Sequence, residues 1–172
     1  PEFLGSTNSY YRLEAKGSYY YGIFNDAVVM MAGGKIGTVS GFSHDDHVPV
    51  FERYFLGGTG SLRGFEYRTV SPTYNGQNVG GQSMVLLTAE ISHPIWGPLR
   101  GFAFIDVGTV NRDDYNFSFN NFNAGAGYGI RMQIPQLNVP LEFALAYPII
   151  NNQDTEKSKL RFHFNIGVGL SF

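Results

Sequence analysis

Several features are missing from this sequence, and each absence removes a class of protein. The chain of 172 residues has no cysteine, which excludes a disulfide scaffold and a metal site built on thiolates. Its formal net charge is only −2, so the charge balance gives no reason to expect a nucleic-acid partner. No signal peptide is visible, and no stretch approaches the ~20 apolar residues of a membrane-spanning helix. A helical membrane protein is therefore excluded.

The chain is rich in glycine and aromatic residues, and its hydrophobic pattern has a period of two. It contains 22 Gly, 15 Phe and 11 Tyr. From Leu160 to Phe172 every second residue is apolar, and the residues between them are polar or glycine. Strict alternation predicts a strand with two unlike faces. Soluble strands have ~5–6 residues and tilted membrane strands ~9–11, so the length of this segment favours a membrane barrel.

Similar alternating segments recur along the whole chain. They lie near 9–23, 27–42, 49–57, 81–94, 99–111, 121–135, 139–150 and 158–172. The longer polar connections 111–120 and 151–158 are typical of extracellular loops, whereas the proline-bearing segments 93–98 and 134–140 are typical of periplasmic turns. The sequence therefore predicts an all-β fold, an antiparallel transmembrane β-barrel of about eight strands with no helical domain, surrounded by a lipid bilayer or detergent.

The polar residues give little sign of catalytic or metal chemistry. The segment S-H-D-D-H (43–47) has the residue types of a metal site, but it falls where a short periplasmic turn is expected, and a polar turn explains it. No G-x-S-x-G elbow is present, and no spacing of Ser, His and Asp recommends a catalytic triad. We therefore expect no metal, no cofactor and no enzymatic activity. The remaining inward charges are expected to form a lumenal network that satisfies itself: Lys35, Arg131, Glu142 and Arg161.

Three motifs in the sequence resemble those of one known family. The first is the segment F-E-R-Y-F-L-G-G-T-G-S-L-R-G-F (51–65). It resembles the sixth extracellular loop of the BamA family of outer-membrane assembly proteins, which carries V/L-R-G-F/Y at its tip. The segments 80–95 and 102–110 resemble its twelfth and thirteenth strands, and the second of these has the F-x-D-x-G signature. The corresponding residues are Leu62, Arg63, Gly64 and Phe65 in the loop, and Phe104, Asp106 and Gly108 in the thirteenth strand. The C-terminal strand resembles the family's β-signal through Phe164, Ile166, Gly167, Val168, Leu170 and Phe172.

The resemblance implies a specific contact for the loop arginine. In the family this loop folds into the lumen, so Arg63 should meet Glu90 and Asp106, with Phe104 beside it. Strand parity agrees, because a carboxylate facing lipid would be costly and both acids must point inward. A guanidinium between two carboxylates can form charge-assisted, fork-like hydrogen bonds. The alternative is a solvated loop arginine and two unrelated lumenal acids.

The number of strands in the barrel decides whether the loop arginine can lie in the lumen or must be solvated outside it. A barrel of ~8 strands has an interior only wide enough for side chains, so a chain that closed on itself would have to expel residues 58–80. Two chains that paired edge to edge as a homodimer would form a lumen large enough for the loop. From the sequence alone both arrangements stay open.

The resemblance also implies a location and a function. It places the protein in the bacterial outer membrane, where the parent proteins fold and insert unfolded outer-membrane proteins without covalent chemistry. Residues 1–172 would be a single barrel domain equivalent to family strands nine to sixteen, without the periplasmic POTRA domains, and thus a fragment or a shortened member. The resemblance implies two physical ways in which the parent proteins promote insertion. One is thinning of the bilayer, and the other is templating of a client strand on the edge at 158–172. The alternatives are a passive eight-stranded barrel with a structural or folding-model role, a translocation pore of the same superfamily, and an outer-membrane enzyme.

Overall fold

In the part of the chain that the structure describes, seven antiparallel strands form one sheet. The computed structural model describes residues 9–42, 47–134, 139–153 and 157–167, and the order of strands in its main sheet is β1-β2-β5-β6-β7-β8-β9. The strands of the main sheet are β1 (Tyr10–Ile23), β2 (Val28–Gly41), β5 (Ser83–Trp96), β6 (Leu99–Asn111), β7 (Asn123–Ile134), β8 (Val139–Ile150) and β9 (Arg161–Ile166). A separate hairpin consists of β3 (Thr73–Tyr74) and β4 (Gln77–Asn78). The predicted all-β antiparallel architecture is confirmed.

The long strands follow directly from the long alternating segments. Strands β1, β2 and β5 each have 14 residues, more than twice the ~5–6 residues of an ordinary soluble strand. At one end of the sheet, which we call the lower end, neighbouring strands are joined by short turns. One of these contains Gly97, whose φ of 53° suits a residue without a Cβ. At the opposite, upper end lie the long connections 42–82, 112–122 and 151–160. Within the described ranges β1 and β9 have no further strand beside them, so the sheet is open.

The segment expected as the third strand, 49–57, is not a strand. It contains a single 3-10 turn at Val50–Glu52 and two isolated bridges, Tyr54 to Gly81 and Leu56 to Val70. The reason is that β2 pairs directly with β5 in a continuous ladder, which leaves no edge for a strand between them. The next glycines, Gly57, Gly58 and Gly60, have φ values of 111°, 96° and 82°, which no strand can continue through.

The absence of this strand changes the interpretation of the connection between β2 and β5. The connection begins and ends at the upper end of the sheet and includes the β3–β4 hairpin. A periplasmic turn at 43–47 is therefore no longer expected; residues 43–46 themselves lie outside the described ranges. The expected last strand, 158–172, is present as β9 over Arg161–Ile166. Residues 168–172 also lie outside the described part of the chain.

The two faces of the sheet are inverted relative to a soluble protein. On the outer face the side chains of Leu87, Leu145 and Phe162 are 47%, 50% and 64% exposed. On the inner face Asp106 and Glu142 are buried, with exposures of 0% and 5%. Apolar side chains outside and carboxylates inside suit a sheet that meets lipid on one face and a polar lumen on the other. The predicted transmembrane β-architecture with this parity is confirmed.

The upper part of the outer face is covered by protein. The connection after β6 folds over the upper ends of β1, β2 and β5, where it meets residues of the same parity as the lipid-facing side chains. The Tyr115 amide donates to Thr38 Oγ1 at 3.1 Å, and the Tyr11 and Tyr115 hydroxyls are 2.7 Å apart. Ser83 Oγ lies 2.8 Å from the Asp113 carbonyl and 2.6 Å from the Asn116 carbonyl, and Ser40 Oγ donates to the Asp114 carboxylate. The lipid-facing belt therefore ends below this loop.

A charged substitution on the lipid-facing side of the sheet should distinguish a membrane protein from a soluble one. Leu145 lies in the middle of β8 on the outer face. We expect Leu145→Arg to destabilise the protein in lipid vesicles by ~2–4 kcal/mol, the cost of Arg at the lipid-facing midplane of a barrel. The measurement is the free energy of unfolding in urea, with Tyr74→Arg in the exposed hairpin as the control. Equal, near-zero effects of both substitutions would contradict a lipid-facing Leu145.

Candidate functional site

The tip of the long upper loop is buried on the inner face of the sheet. We call residues 57–70 the arginine loop. Leu62 and Phe65, on either side of Arg63 and Gly64, have no exposed surface. They belong to a hydrophobic cluster with Leu56, Val70, Met84 and Leu86, among others. The apolar residues beside the arginine therefore hold the tip against the wall, which explains why a loop of this kind is not polar.

Arg63 makes a fork-like contact with Asp106. Its Nε donates to Oδ2 at 2.7 Å and its Nη2 donates to Oδ1 at 2.8 Å. The backbone amide of Arg63 donates to the same Oδ2 at 3.1 Å, and the Thr88 hydroxyl donates to Oδ1. Both carboxylate oxygens of a fully buried Asp106 are thus satisfied, as a charge removed from water requires.

Two further carboxylates and a second arginine extend the cluster. Nη1 of Arg63 donates to Glu90 Oε2 at 3.4 Å and lies 3.8 Å from Glu142 Oε1. Arg131 connects the same two acids, with Nη1 2.9 Å from Glu90 Oε1 and Nη2 2.8 Å from Glu142 Oε2. Two guanidinium groups therefore serve three carboxylates, and each acid contacts at least one arginine.

Aromatic rings and glycines shape the floor of this cluster. The guanidinium carbon of Arg63 lies 3.4 Å from the centre of the Phe104 ring, and that of Arg131 lies 4.6 Å from the centre of the Phe102 ring. A Cβ at Gly127 would come within 2.6 Å of the Phe104 ring. At Gly125 it would lie 1.9 Å from the Arg63 carbonyl. The alternating glycines of β7 are therefore the space into which the loop and the rings fit.

The loop is also attached to the last strand. The Gly64 amide donates to His163 Nε2 at 3.0 Å, and Arg161 Nη1 donates to the Gly64 carbonyl at 2.8 Å. The Thr59 hydroxyl lies 3.0 Å from His163 Nδ1. On the solvent side, Glu66 Oε1 contacts Lys159 Nζ at 3.0 Å and Arg161 Nη2 at 3.3 Å. Hydrogen bonds from Lys159 and then Arg161 lower the pKa of Glu66 below its usual value.

The structure brings together most of the residues singled out in the sequence. Arg63, Glu90, Phe104 and Asp106 lie in one cluster on the inner face. Gly108 lies elsewhere, beneath the loop, where a Cβ would approach Leu56 Cδ1 to 2.6 Å. Of the β-signal residues, Phe164 and Ile166 point outward and Gly167 follows β9 with a φ of 118°. Val168, Leu170 and Phe172 lie outside the described residues.

The inward charges expected to form one network divide into separate groups. Lys35 pairs with Glu14 at 3.2 Å, whereas Arg131 and Glu142 belong to the Arg63 cluster. Arg161 binds the loop backbone. Sequence reasoning placed Arg131 and Glu142 on the inner face but did not connect them with Arg63, and it missed His163 as a ligand of the loop. Inward parity was the available signal for His163, since it shares a face with Arg161.

The open sheet and the arginine loop buried on its inner face define a portion of an outer-membrane β-barrel. The Omp85 superfamily domain matches residues 2–169, and the chain belongs to this superfamily. The predicted resemblance to the BamA family and the predicted location in the bacterial outer membrane are confirmed by the relatives described next. In the described ranges, no helix is long and apolar enough to cross a membrane, and no group of three or more His, Cys, Asp or Glu could hold a metal ion.

The relatives are similar to this chain over part of their length. The outer membrane protein assembly factor BamA of Nitratidesulfovibrio vulgaris is 32% identical over 128 residues, which are 70% of this chain and 16% of that protein. BamA of Neisseria meningitidis serogroup B is 26% identical over 196 residues, 95% of this chain and 24% of that protein. The crystal structure of BamA from Haemophilus ducreyi lacking POTRA domains 1–3 has the same fold, with a TM-score of 0.77, 24% identity and coverage of 95% of this chain and 36% of that one. The chain thus spans 16–24% of the length of these curated relatives. The equivalence to family strands nine to sixteen stays a prediction.

Removal of the loop arginine should be costly. Arg63→Ala leaves Asp106 buried without its fork, and we expect a loss of ~3–5 kcal/mol in the free energy of unfolding, as for a broken buried ion pair. Arg63→Lys should lose less, because it keeps the charge but not the two parallel bonds. The measurement is urea unfolding in detergent micelles.

The matched control is Arg112→Ala, since Arg112 is exposed and its side chain donates to the Thr73 carbonyl at 3.2 Å rather than to a buried carboxylate. We expect a change within ~0.5 kcal/mol there, as for ordinary surface substitutions. If Arg63→Ala were as mild as this control, the buried fork would not anchor the loop.

Proposed function

We propose that this chain is part of the barrel of a factor that folds and inserts other β-barrel proteins into the bacterial outer membrane. The relatives named above are outer membrane protein assembly factors, and the resemblance covers the loop and the strands that hold it. One observation carries the proposal: the arginine loop is anchored both in the middle of the sheet, at Asp106, and on the edge strand, at His163. Because β9 is held through side chains on its inner face, the backbone groups along its free edge remain available to pair with another strand.

The proposed means is addition of a client strand to the edge of β9. Unpaired backbone N–H and C=O groups are costly in hydrocarbon. A client strand that pairs with the edge of β9 is therefore stabilised within the membrane until the client's own barrel closes. This is β-augmentation, in which main-chain hydrogen bonds give affinity and alternate side chains give selectivity. The outward Phe162, Phe164 and Ile166 would meet lipid together with the client's apolar face. The chemistry is wholly noncovalent, so we propose no enzymatic activity, cofactor or nucleic-acid partner.

The test is the folding rate of another barrel protein. We expect urea-unfolded client protein to fold faster into vesicles that contain this protein than into empty vesicles, as followed by the resistance of the folded client to denaturation on a gel. The control is an unrelated eight-stranded barrel at the same protein-to-lipid ratio, which accounts for bilayer defects. If the two kinds of vesicle gave equal rates, the protein would be a passive barrel. Steady ionic conductance without acceleration would instead favour a pore.

We also propose that two copies of this chain pair edge to edge when no other strands are supplied. The open edges of β1 and β9 have backbone groups that lipid cannot satisfy. The lumen of such a pair also accommodates the buried loop. We expect light scattering in detergent to give twice the mass of the chain. A monomeric mass with Arg63 still inaccessible would rule out the pair.

A further inference from the structure

Among the described residues, strand β9 has the shortest ladder in the main sheet. It pairs with β8 from Ala146 opposite Arg161 to Leu141 opposite Ile166. By contrast, β1 pairs with β2 over its full 14 residues. In the described part of the chain, β8 is the one strand that pairs with β9. The inner face of β9 provides a second support.

The inward side chains of β9 support the strand by forming hydrogen bonds with the arginine loop. Arg161 and His163 are both buried and together bind both backbone groups of Gly64, its carbonyl and its amide. Gly64 has a φ of 96°, and a Cβ there would lie 3.1 Å from the Tyr147 backbone of β8. The tip of the loop thus lies across β8 and β9 at close range, where only glycine fits.

The geometry also fixes the state of the imidazole. An amide can only donate, so His163 Nε2 must accept through its lone pair, and the ring proton must be on Nδ1. Nδ1 then donates to Thr59 Oγ1, which lies at 3.0 Å. One neutral ring therefore bridges two positions of the loop, Thr59 and Gly64. A side chain without an acceptor at the Nε2 position could not make this bridge.

We propose that His163 and Arg161 are positioning residues that couple the arginine loop to the edge strand, so that the seated loop fixes β9 and the seated strand fixes the loop. This deepens the proposed function, since it rests on β9 being the edge that clients meet. The coupling is a free energy shared by two elements and is therefore reciprocal. A change that loosens the loop must loosen β9, and a change on the inner face of β9 must expose the loop.

The first arm of the experiment measures exposure of the loop. The chain has no cysteine, so Leu62→Cys, at a position that is 0% exposed, gives a single reporter for maleimide labelling in detergent. In this background we expect His163→Ala to raise the labelling rate about tenfold, equivalent to ~1.4 kcal/mol. His163→Gln retains an acceptor near the Nε2 position and should restore most of the protection. The matched control is His93→Ala, which removes a histidine of β5 that contacts Tyr128 on the outer face.

The second arm runs in the opposite direction. Gly64→Ala strains the tip of the loop, and we expect faster amide hydrogen exchange at 162–165 of β9, with exchange at 29–38 of β2 unchanged. If His163→Ala does not fold, Thr59→Val removes the Nδ1 partner alone, and it should raise the labelling rate by a smaller factor. Labelling of His163→Ala or Thr59→Val no faster than the His93→Ala control would overturn the proposal. So would exchange in β9 that is unaffected by Gly64→Ala.

These measurements use the protein without a client, so the two proposals fail separately. Normal coupling without acceleration of client folding would support the positioning role of His163 and Arg161 and contradict the assembly role. Normal acceleration with uncoupled labelling would do the reverse. A glutamine variant that is as exposed as the alanine variant would also contradict the role assigned to the acceptor at Nε2.

Discussion

The fork between Arg63 and Asp106 is the interaction on which the inner face of this protein depends. A buried ion pair is weak support for overall stability, because desolvation offsets much of its attraction, but breaking one is costly. Such a pair acts chiefly by fixing a position. Here the Arg63 amide also binds Asp106, so both backbone and side chain of the loop tip are held at one point of β6. The Phe104 ring and the glycines of β7 are arranged around that point.

The inverted faces of the sheet explain why the charges are concentrated there. Lipid on the outer face admits neither carboxylates nor guanidinium groups at low cost, so the inner face must accommodate them. Glu90, Glu142 and Arg131 therefore surround the fork and satisfy one another. The loop that covers the upper outer face follows the same rule, because Thr38 and Ser83 have lipid-facing parity and are satisfied by protein instead. The polar groups of Thr38 and Ser83 are thus paired by protein, whereas the buried hydroxyl of Thr109, which has the same parity, has no hydrogen-bond partner among the described residues.

The sequence was sufficient for the strands and their faces, because a period of two encodes both. It was insufficient where register and spacing decide the outcome. The segment 49–57 alternates well enough to suggest a strand, yet only the direct pairing of β2 with β5 shows that no place is left for it. Likewise, parity places Glu142 and His163 on the inner face, but the register of β8 and β9 determines that one reaches Arg63 and the other Gly64. Residues 168–172, part of the expected β-signal, lie outside what the structure describes.

The anchors of the loop lie far apart in the chain, and this places a condition on when the loop can be seated. Arg63 and Asp106 are separated by 43 residues, and Gly64 and His163 by 99. The two groups that bind Gly64, on Arg161 and His163, both lie on β9 and reach the loop only once β9 has paired with β8. The groups that bind Arg63 require β5 and β6. The complete seat therefore exists only in a sheet that already contains strands from β5 to β9. Because closing such long loops costs conformational entropy, the pairing of β9 with β8 and the placement of the loop on the inner face stabilise each other.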